Sequence, residues 1–479
     1  MPDEFARLDA TAQAALVRSG EVLPIELVEA SIARIEALNP KLNAVIHPLF
    51  EKARAAAESP DLSAGPFKGV PFLVKDVVCH TAGDPYHAGT RFLKEVGWIE
   101  KRDSELARRF RAAGFVFVGK TNTPEFAMSA TTEPLAYGPT RNPWNPDHSP
   151  GGSSGGTGAA VAAGLAPVGH GNDMGGSIRI PSAHCGLVGL KPTRARNSLA
   201  PDFGEYWGPL THEHVLTRSV RDTAAVLDAT AGPATGDPYL APPPARAWSQ
   251  EVGADPGCLR IGFRTDPGPG RTIDSACVRA AEDTAKALIE LGHQVEPVAL
   301  KALDSGSLGA GFGVITSAAL VRDLDRWGER LGRPIVESDI EPLNWSMAEQ
   351  GRATTASAFI AVVESVQSYA RGVAAWWDEG FDVLLTPTAA APPAKIGELA
   401  PLGDPETVMP HMMACTAFTI PFNATGQPAI SLPLHMSDDG LPIGIQLVAA
   451  YGREDVLIRL ASQLESAYPW AERRPSIHA

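Results

Sequence analysis

Residues 103–121 run Asp103-Ser104-Glu105-Leu106-Ala107-Arg108-Arg109-Phe110-Arg111-Ala112-Ala113-Gly114-Phe115-Val116-Phe117-Val118-Gly119-Lys120-Thr121. Leu106, Ala107 and Phe110 recur at helical spacing, with Asp103 ahead of them and Gly114 behind. That combination of start, stripe and stop predicts a helix over 104–113. The aromatic and β-branched run at 115–118 then predicts a short buried strand. A helix handed to a buried strand by one glycine is half of an α/β unit, whose sheet is covered on both faces.

Working outward, the same alternation continues. Strands are predicted at 70–74, 166–168 and 187–190, with a Gly/Ala-rich helix at 154–165 and a helix at 220–230 behind Ser219. Residues 259–263, 274–291 and 294–298 read as strand, helix, strand; further strands fall at 383–385, 429–433 and 443–448, before a closing helix at 453–467. Two helices open the chain, at 9–19 and 24–39, the second stopped by Pro40. Residues 232–256 carry six prolines, including Pro242-Pro243-Pro244, and read as a crossing segment. Residues 301–379 are mostly helical, and no internal repeat is present. The expected fold class is α/β: a single large domain with a central mixed β-sheet covered on both faces by helices.

Composition narrows the function. The 479 residues carry 55 Asp+Glu against 41 Lys+Arg, a formal charge of −14, which argues against unaided binding to nucleic acid or an anionic membrane. Hydrophobic residues make up 44% of the chain, enough for a large core. Five cysteines without a Cys-x-x-Cys pair make neither a disulfide framework nor a zinc site. The uncharged stretch 148–172 is long enough to span a bilayer but holds eight glycines and two prolines, so no membrane helix is expected. The opening Met1-Pro2-Asp3-Glu4-Phe5 lacks the basic start and apolar run of a signal peptide, so a cytoplasmic protein is expected.

Two motif matches fail on context. Residues 114–121 fit the nucleotide phosphate-loop pattern, but the first glycine follows a helix and the intervening residues are a hydrophobic strand; Lys120 then reads as a charge at a strand end. Gly151-Gly152-Ser153-Ser154-Gly155 fits the nucleophile elbow of α/β-hydrolases, yet the preceding Asn142-Pro143-Trp144-Asn145-Pro146 cannot be the strand that an elbow requires.

Three features remain. Lys75 ends the strand at 70–74 and is followed by Asp76; Ser153 and Ser154 sit in a Gly/Ser run; Ser177 follows Gly175-Gly176. A lysine where a buried strand meets a cleft is partly desolvated, which lowers its pKa and frees a neutral amine, although a lone strand-end lysine is more often solvated or paired. Successive glycines expose backbone N–H groups, so a serine after them comes with anion donors beside it, although such a run can equally be a flexible loop.

Taken jointly, these residues resemble the amidase signature family. The Gly/Ser run, the spacing from Ser153 to Ser177 and the upstream Lys75-Asp76 pair carry the resemblance, along with Lys120-Thr121-Asn122-Thr123-Pro124-Glu125, Gly189-Leu190-Lys191-Pro192-Thr193 and Gly426-Gln427-Pro428-Ala429-Ile430-Ser431. It covers essentially the whole chain, and Gly171-Asn172-Asp173 and Pro421-Phe422-Asn423-Ala424-Thr425-Gly426 make it most similar to the bacterial hydrolases of nylon-type cyclic oligomers. One departure stands out: Asn172 occupies a position where the family usually carries Thr or Ser.

The resemblance implies the amidase signature fold over residues 1–479, with an N-terminal helical region at 1–65, a catalytic core at 66–232, the crossing segment at 233–257 and a variable helical region at 301–379. It implies a catalytic triad of Ser177 as nucleophile, Ser153 as a bridging serine in a cis peptide, and Lys75 as base. Backbone N–H groups of Met174, Gly175, Gly176 and Ser177 would form the oxyanion hole; Ser154, Asn172 and Asp173, with Arg179 as the ion partner of Asp173, would brace it. Phe312, Thr316, Trp327 and Trp345 are candidates for the substrate pocket. The implied reaction is hydrolysis of a small-molecule carboxamide, cyclic or linear, through an acyl-enzyme, with esters and carbamates as side substrates. No cofactor or metal is called for, and a homodimer is compatible. The alternative is the glutaminase subunit of a tRNA-dependent amidotransferase, which would use the same triad with a partner.

Overall fold

A computed structural model describes residues 4–304, 307–403 and 405–479. Residues 1–3, part of the opening sequence behind the cytoplasmic expectation, and residues 305–306 of the expected variable region lie outside the described residues. The strands, in chain order, are β1 Val45–Pro48, β2 Pro71–Lys75, β3 Val116–Thr121, β4 Val168–Asp173, β5 Val188–Lys191, β6 His212–Thr217, β7 Arg260–Phe263, β8 Gln294–Pro297, β9 Val383–Pro387, β10 Ala429–Met436 and β11 Pro442–Ala449. All belong to one sheet in the order β1-β3-β2-β4-β6-β5-β10-β11-β9-β7-β8. β3, β2 and β4 run parallel, as do β9, β7 and β8; the strands between them pair antiparallel.

Helices cover both faces, and the side-chain alternation of β2 shows how. Phe72 and Val74 pack with Leu106 and Phe110 of the helix Glu105–Ala112. Leu73, pointing the other way, packs with Val28 and Ile32 of the helix Pro24–Leu42 and with Ala159 and Ala160 of the helix Gly155–Ala162. At the other end of the sheet, Ile430 and Leu432 pack with Leu288 of the helix Ser275–Glu290 and with Leu457 and Leu460 of the helix Glu454–Ala467. The α/β class with a mixed, doubly covered sheet is therefore what the chain adopts. Among the described residues no helix is long and apolar enough to cross a membrane.

The boundaries hold several corrections. The second helix runs on to Leu42 with Pro40 inside its last turn, closed by Asn43 in the left-handed conformation. The strand expected to end at 168 instead begins there and extends through Asn172 and Asp173. β1 and β6 were not foreseen, nor were the short helices Arg179–Cys185 and Ile420–Thr425. Lys120, a charge near the end of β3 as expected, is fully buried and paired, 2.7 Å from Asp76 Oδ1.

Candidate active site

Period-two alternation puts Lys75 on the same face of β2 as Leu73, the face on which the helix Gly155–Ala162 packs. Ser153 and Ser154 immediately precede that helix. The lysine at the C-terminal end of β2 thus meets the serines at the start of the helix. Lys75 is fully buried; its Nζ donates to Ser153 Oγ at 2.6 Å and to Asn172 Oδ1 at 2.5 Å, both uncharged groups. Burial pulls its pKa down to about 7, against the opposing pull of the Glu213 and Asp173 charges. Asn172 is itself held, its Nδ2 donating to Val77 O at 3.2 Å.

Asp76 faces a different set of partners. Burial pushes its carboxyl up, but Lys120 and the His47 ring more than offset that and hold it well below the usual carboxylate range. The backbone N–H of His87 donates to it at 2.9 Å.

β4 runs parallel to β2, so its C-terminal end opens at the same edge of the sheet. There the chain turns through Met174, Gly175, Gly176 and Ser177 into the helix Arg179–Cys185. Asp173 shapes the turn: its carboxylate accepts from the N–H of Gly176 at 2.7 Å and of Ile178 at 3.2 Å, and from Arg179 Nε and Nη2 at 2.9 Å each. Arg179 Nη1 continues to Gln446 Oε1 at 2.7 Å, and Asn423 Nδ2 donates to Asp173 Oδ1 at 2.7 Å. Gly176 sits at φ +133°, and a Cβ there would stand 2.5 Å from Thr419 Oγ1, so the turn needs glycine. The Gly152–Ser153 peptide bond is cis, and Ser154 Oγ donates to Asn172 O at 3.3 Å, tying the helix start to β4.

Of the four N–H groups suggested as oxyanion donors, that of Gly176 is already given to Asp173. Those of Met174, Gly175 and Ser177 have no acceptor among the described residues. Ser177 lines a cavity of about 460 Å³ together with Gly152, Met174 and Gly175, whereas Ser153 and Lys75 lie behind the wall at 0% exposure. No hydrogen bond joins Ser153 to Ser177 in this arrangement; such bonds often tighten only once a substrate is in place.

The pocket candidates divide. Phe312 and Thr316 line the cavity. Trp327 and Trp345 do not: Trp327 is buried against Tyr86 and Trp98 in an apolar cluster behind the cavity wall, on which Trp345 also packs. Sequence reasoning missed the methionine side chains, Met174 having been suggested only for its backbone N–H. Met128, Met174, Met347, Met409, Met412 and Met413 all line the cavity, six of the eight in the chain. The spacing of 409, 412 and 413, one face of the helix Pro405–Thr416, was the available signal. Asn423 and Gln446, which complete the Arg179 network, were not singled out; Asn423 stood only within the Pro421-to-Gly426 stretch that carries the resemblance.

Comparisons with known proteins place the chain in a family. Residues 26–458 match the family model described as Amidase. A curated relative, the 6-aminohexanoate-cyclic-dimer hydrolase of Paenarthrobacter ureafaciens, is 48% identical over 98% of this chain and 96% of its own length. A solved structure of a 6-aminohexanoate cyclic dimer hydrolase complexed with substrate superposes with a TM-score of 0.95 at 47% identity, covering 99% of this chain and 100% of that one. A bacterial aryl acylamidase gives a TM-score of 0.88 at 26% identity, covering 97% of each chain. A match of this extent makes the chain a member of the amidase signature family and an amidase, a hydrolase of C–N bonds other than peptide bonds.

Proposed function

We propose that this amidase cleaves small, largely apolar carboxamides, cyclic or linear amide oligomers among them, through an acyl-enzyme on Ser177. The observation that carries the reading is the layering of the three side chains: only Ser177 reaches the cavity, while behind it Ser153 is hydrogen-bonded to a lysine whose pKa burial brings down to about 7.

Neutral Lys75 takes a proton from Ser153, which takes one from Ser177 as its oxygen attacks the amide carbon. The negative oxygen of the tetrahedral intermediate is met by the N–H groups of Met174, Gly175 and Ser177, which have no other acceptor among the described residues. Loss of one such donor costs about 3–4 kcal/mol in comparable sites. The proton then returns from Lys75 through Ser153 to the departing nitrogen, since an amine leaves poorly unless protonated. Water repeats the sequence on the acyl-enzyme. Asn172 accepts a hydrogen bond without adding charge, so it orients Nζ and leaves the neutral amine accessible.

The cavity supports the substrate class. Its wall is made mostly of methionine and aliphatic side chains, and unbranched, polarizable methionine adapts to flexible chains. The relatives' named activity on a cyclic aliphatic amide points the same way. A panel of cyclic amides, linear aminohexanoate oligomers, aryl amides, glutamine and carbamates tests the reading. Turnover is expected on the cyclic and linear aliphatic amides; preference for glutamine would overturn the assignment.

A further inference from the structure

The cavity wall is mostly apolar, with a few hydroxyl side chains. Among the described residues Arg271 and Asp304 are its only charged lining residues, and they stand on segments remote in sequence from the Ser177 turn. Asp304 is already neutralised: its Oδ1 is ion-paired with Arg264 Nη2, and Arg264 is buried. Asp266, the other carboxylate near Arg264, approaches that guanidinium at 3.5 Å and is itself well exposed. Arg271 has no such partner. Its Nη1 donates to Pro267 O at 3.2 Å, its Nε is buried without a hydrogen bond, and among the described residues no carboxylate lies within ion-pair distance of it. Arg271 is therefore a guanidinium with unused donors, facing a largely apolar chamber. A planar fork of N–H donors matches a carboxylate better than any neutral group does.

We propose that Arg271 is a carboxylate anchor, so that the cavity takes amides whose polymethylene chain ends in a carboxylate. The inference rests on the reading above only in taking this cavity as the substrate site. It extends that reading from amides in general to ω-amidoalkanoates, the open-chain class in which a carboxylate and an amide are separated by methylenes. The apolar wall would hold the methylenes, and Arg271 would fix which end of the molecule lies away from Ser177.

The test uses the full chain carrying Ser177→Ala, so that turnover does not enter. Binding of 6-hexanamidohexanoate and of its uncharged counterpart, 6-hexanamidohexanamide, is measured by calorimetry. The acid is expected to bind about tenfold or more tighter than the neutral amide, in keeping with a charge-assisted hydrogen bond. Added Arg271→Gln should bring the ratio near one, and Arg271→Lys, which keeps the charge but loses the fork, should restore part of it. Added salt should erode the preference. Equal binding of the two compounds, no binding of either, or a ratio that survives Arg271→Gln would overturn the proposal. Failure of the hydrolytic reading would look different: the unmutated chain would leave both compounds intact while the binding ratio still collapsed with Arg271→Gln.

Discussion

Arg179 grips Asp173 in a fork, Nε on Oδ2 and Nη2 on Oδ1 at 2.9 Å each, and both side chains are completely buried. Burial pushes the Asp173 carboxyl up, but Arg179 more than offsets it and holds it well below the usual range. The same carboxylate accepts the Gly176 N–H, so an ion pair deep in the fold sets the shape of the turn that carries Ser177. Asp173→Asn leaves the guanidinium buried without its counter-charge, a change that costs roughly 3–5 kcal/mol in comparable pairs. Denaturant unfolding should show that loss. Activity should fall even where the variant remains folded, because the turn is no longer pinned.

Lys75 gives a pH signature. With its pKa near 7, the ammonium predominates below that pH and the amine above it. Protonated lysine cannot act as base, so kcat/KM should rise with pH through about 7 and level off above. Asn172→Asp places a carboxylate against Nζ, favours the ammonium and should move this limb upward by about 1–3 pH units. A limb that stays in place in the variant would mean that some other group controls the profile.

Gly176→Ala tests the turn directly. The new Cβ would stand 2.5 Å from Thr419 Oγ1 and 2.6 Å from Ile180 Cδ1, at a φ of +133° that alanine rarely adopts. The turn must shift, carrying the N–H donors on either side with it. A drop in kcat of about 10²–10³ is expected, the size seen when a donor is lost, with a smaller change in KM.

How much of this was legible in advance depends on how local the cause is. Residues 103–121 gave both elements because their punctuation is local: the Ser104 hydroxyl accepts from the Ala107 N–H, and Gly114 takes φ +95° between helix and strand. Lys75, Ser153 and Ser177 were visible as residue types in a spaced pattern, but their layering was not. β6 was silent because His212-Glu213-His214 reads as polar surface; in the fold Glu213 is bonded to His170, and His214 Nε2 lies 3.2 Å from Thr223 O. Trp327 and Trp345 misled for the opposite reason, since large aromatics in a helical region suit a core as well as a pocket.

Glu125 and Glu341 offer a stability test independent of catalysis. Glu125 Oε1 accepts from the Glu341 N–H at 2.8 Å and from Asn344 Nδ2 at 3.0 Å, while its Oε2 is buried without a partner. Burial, and then the Glu341 charge, push the Glu125 carboxyl up; burial does the same to Glu341. The folded chain thus keeps a proton that the unfolded chain, with Glu near pKa 4.3, gives up. Native protein binds more protons in that window, so this contribution to stability is complete at low pH and lost as pH rises through the folded values. Glu125→Gln removes the Glu125 share of this dependence. Between about pH 5 and about pH 8, its Tm should fall less than that of the unmutated protein, and an equal fall would contradict the argument.

The most direct test of the central claim is to trap the covalent species. The enzyme would be mixed with an activated, slowly released acyl ester, quenched within the first turnover, and analysed by intact and peptide mass spectrometry. One acyl group is expected, on the peptide bearing Ser177, accumulating faster as pH rises through about 7 and far more slowly in Lys75→Ala. Acylation at another residue, or a Ser177→Ala protein that hydrolyses amides at the parental rate, would contradict it.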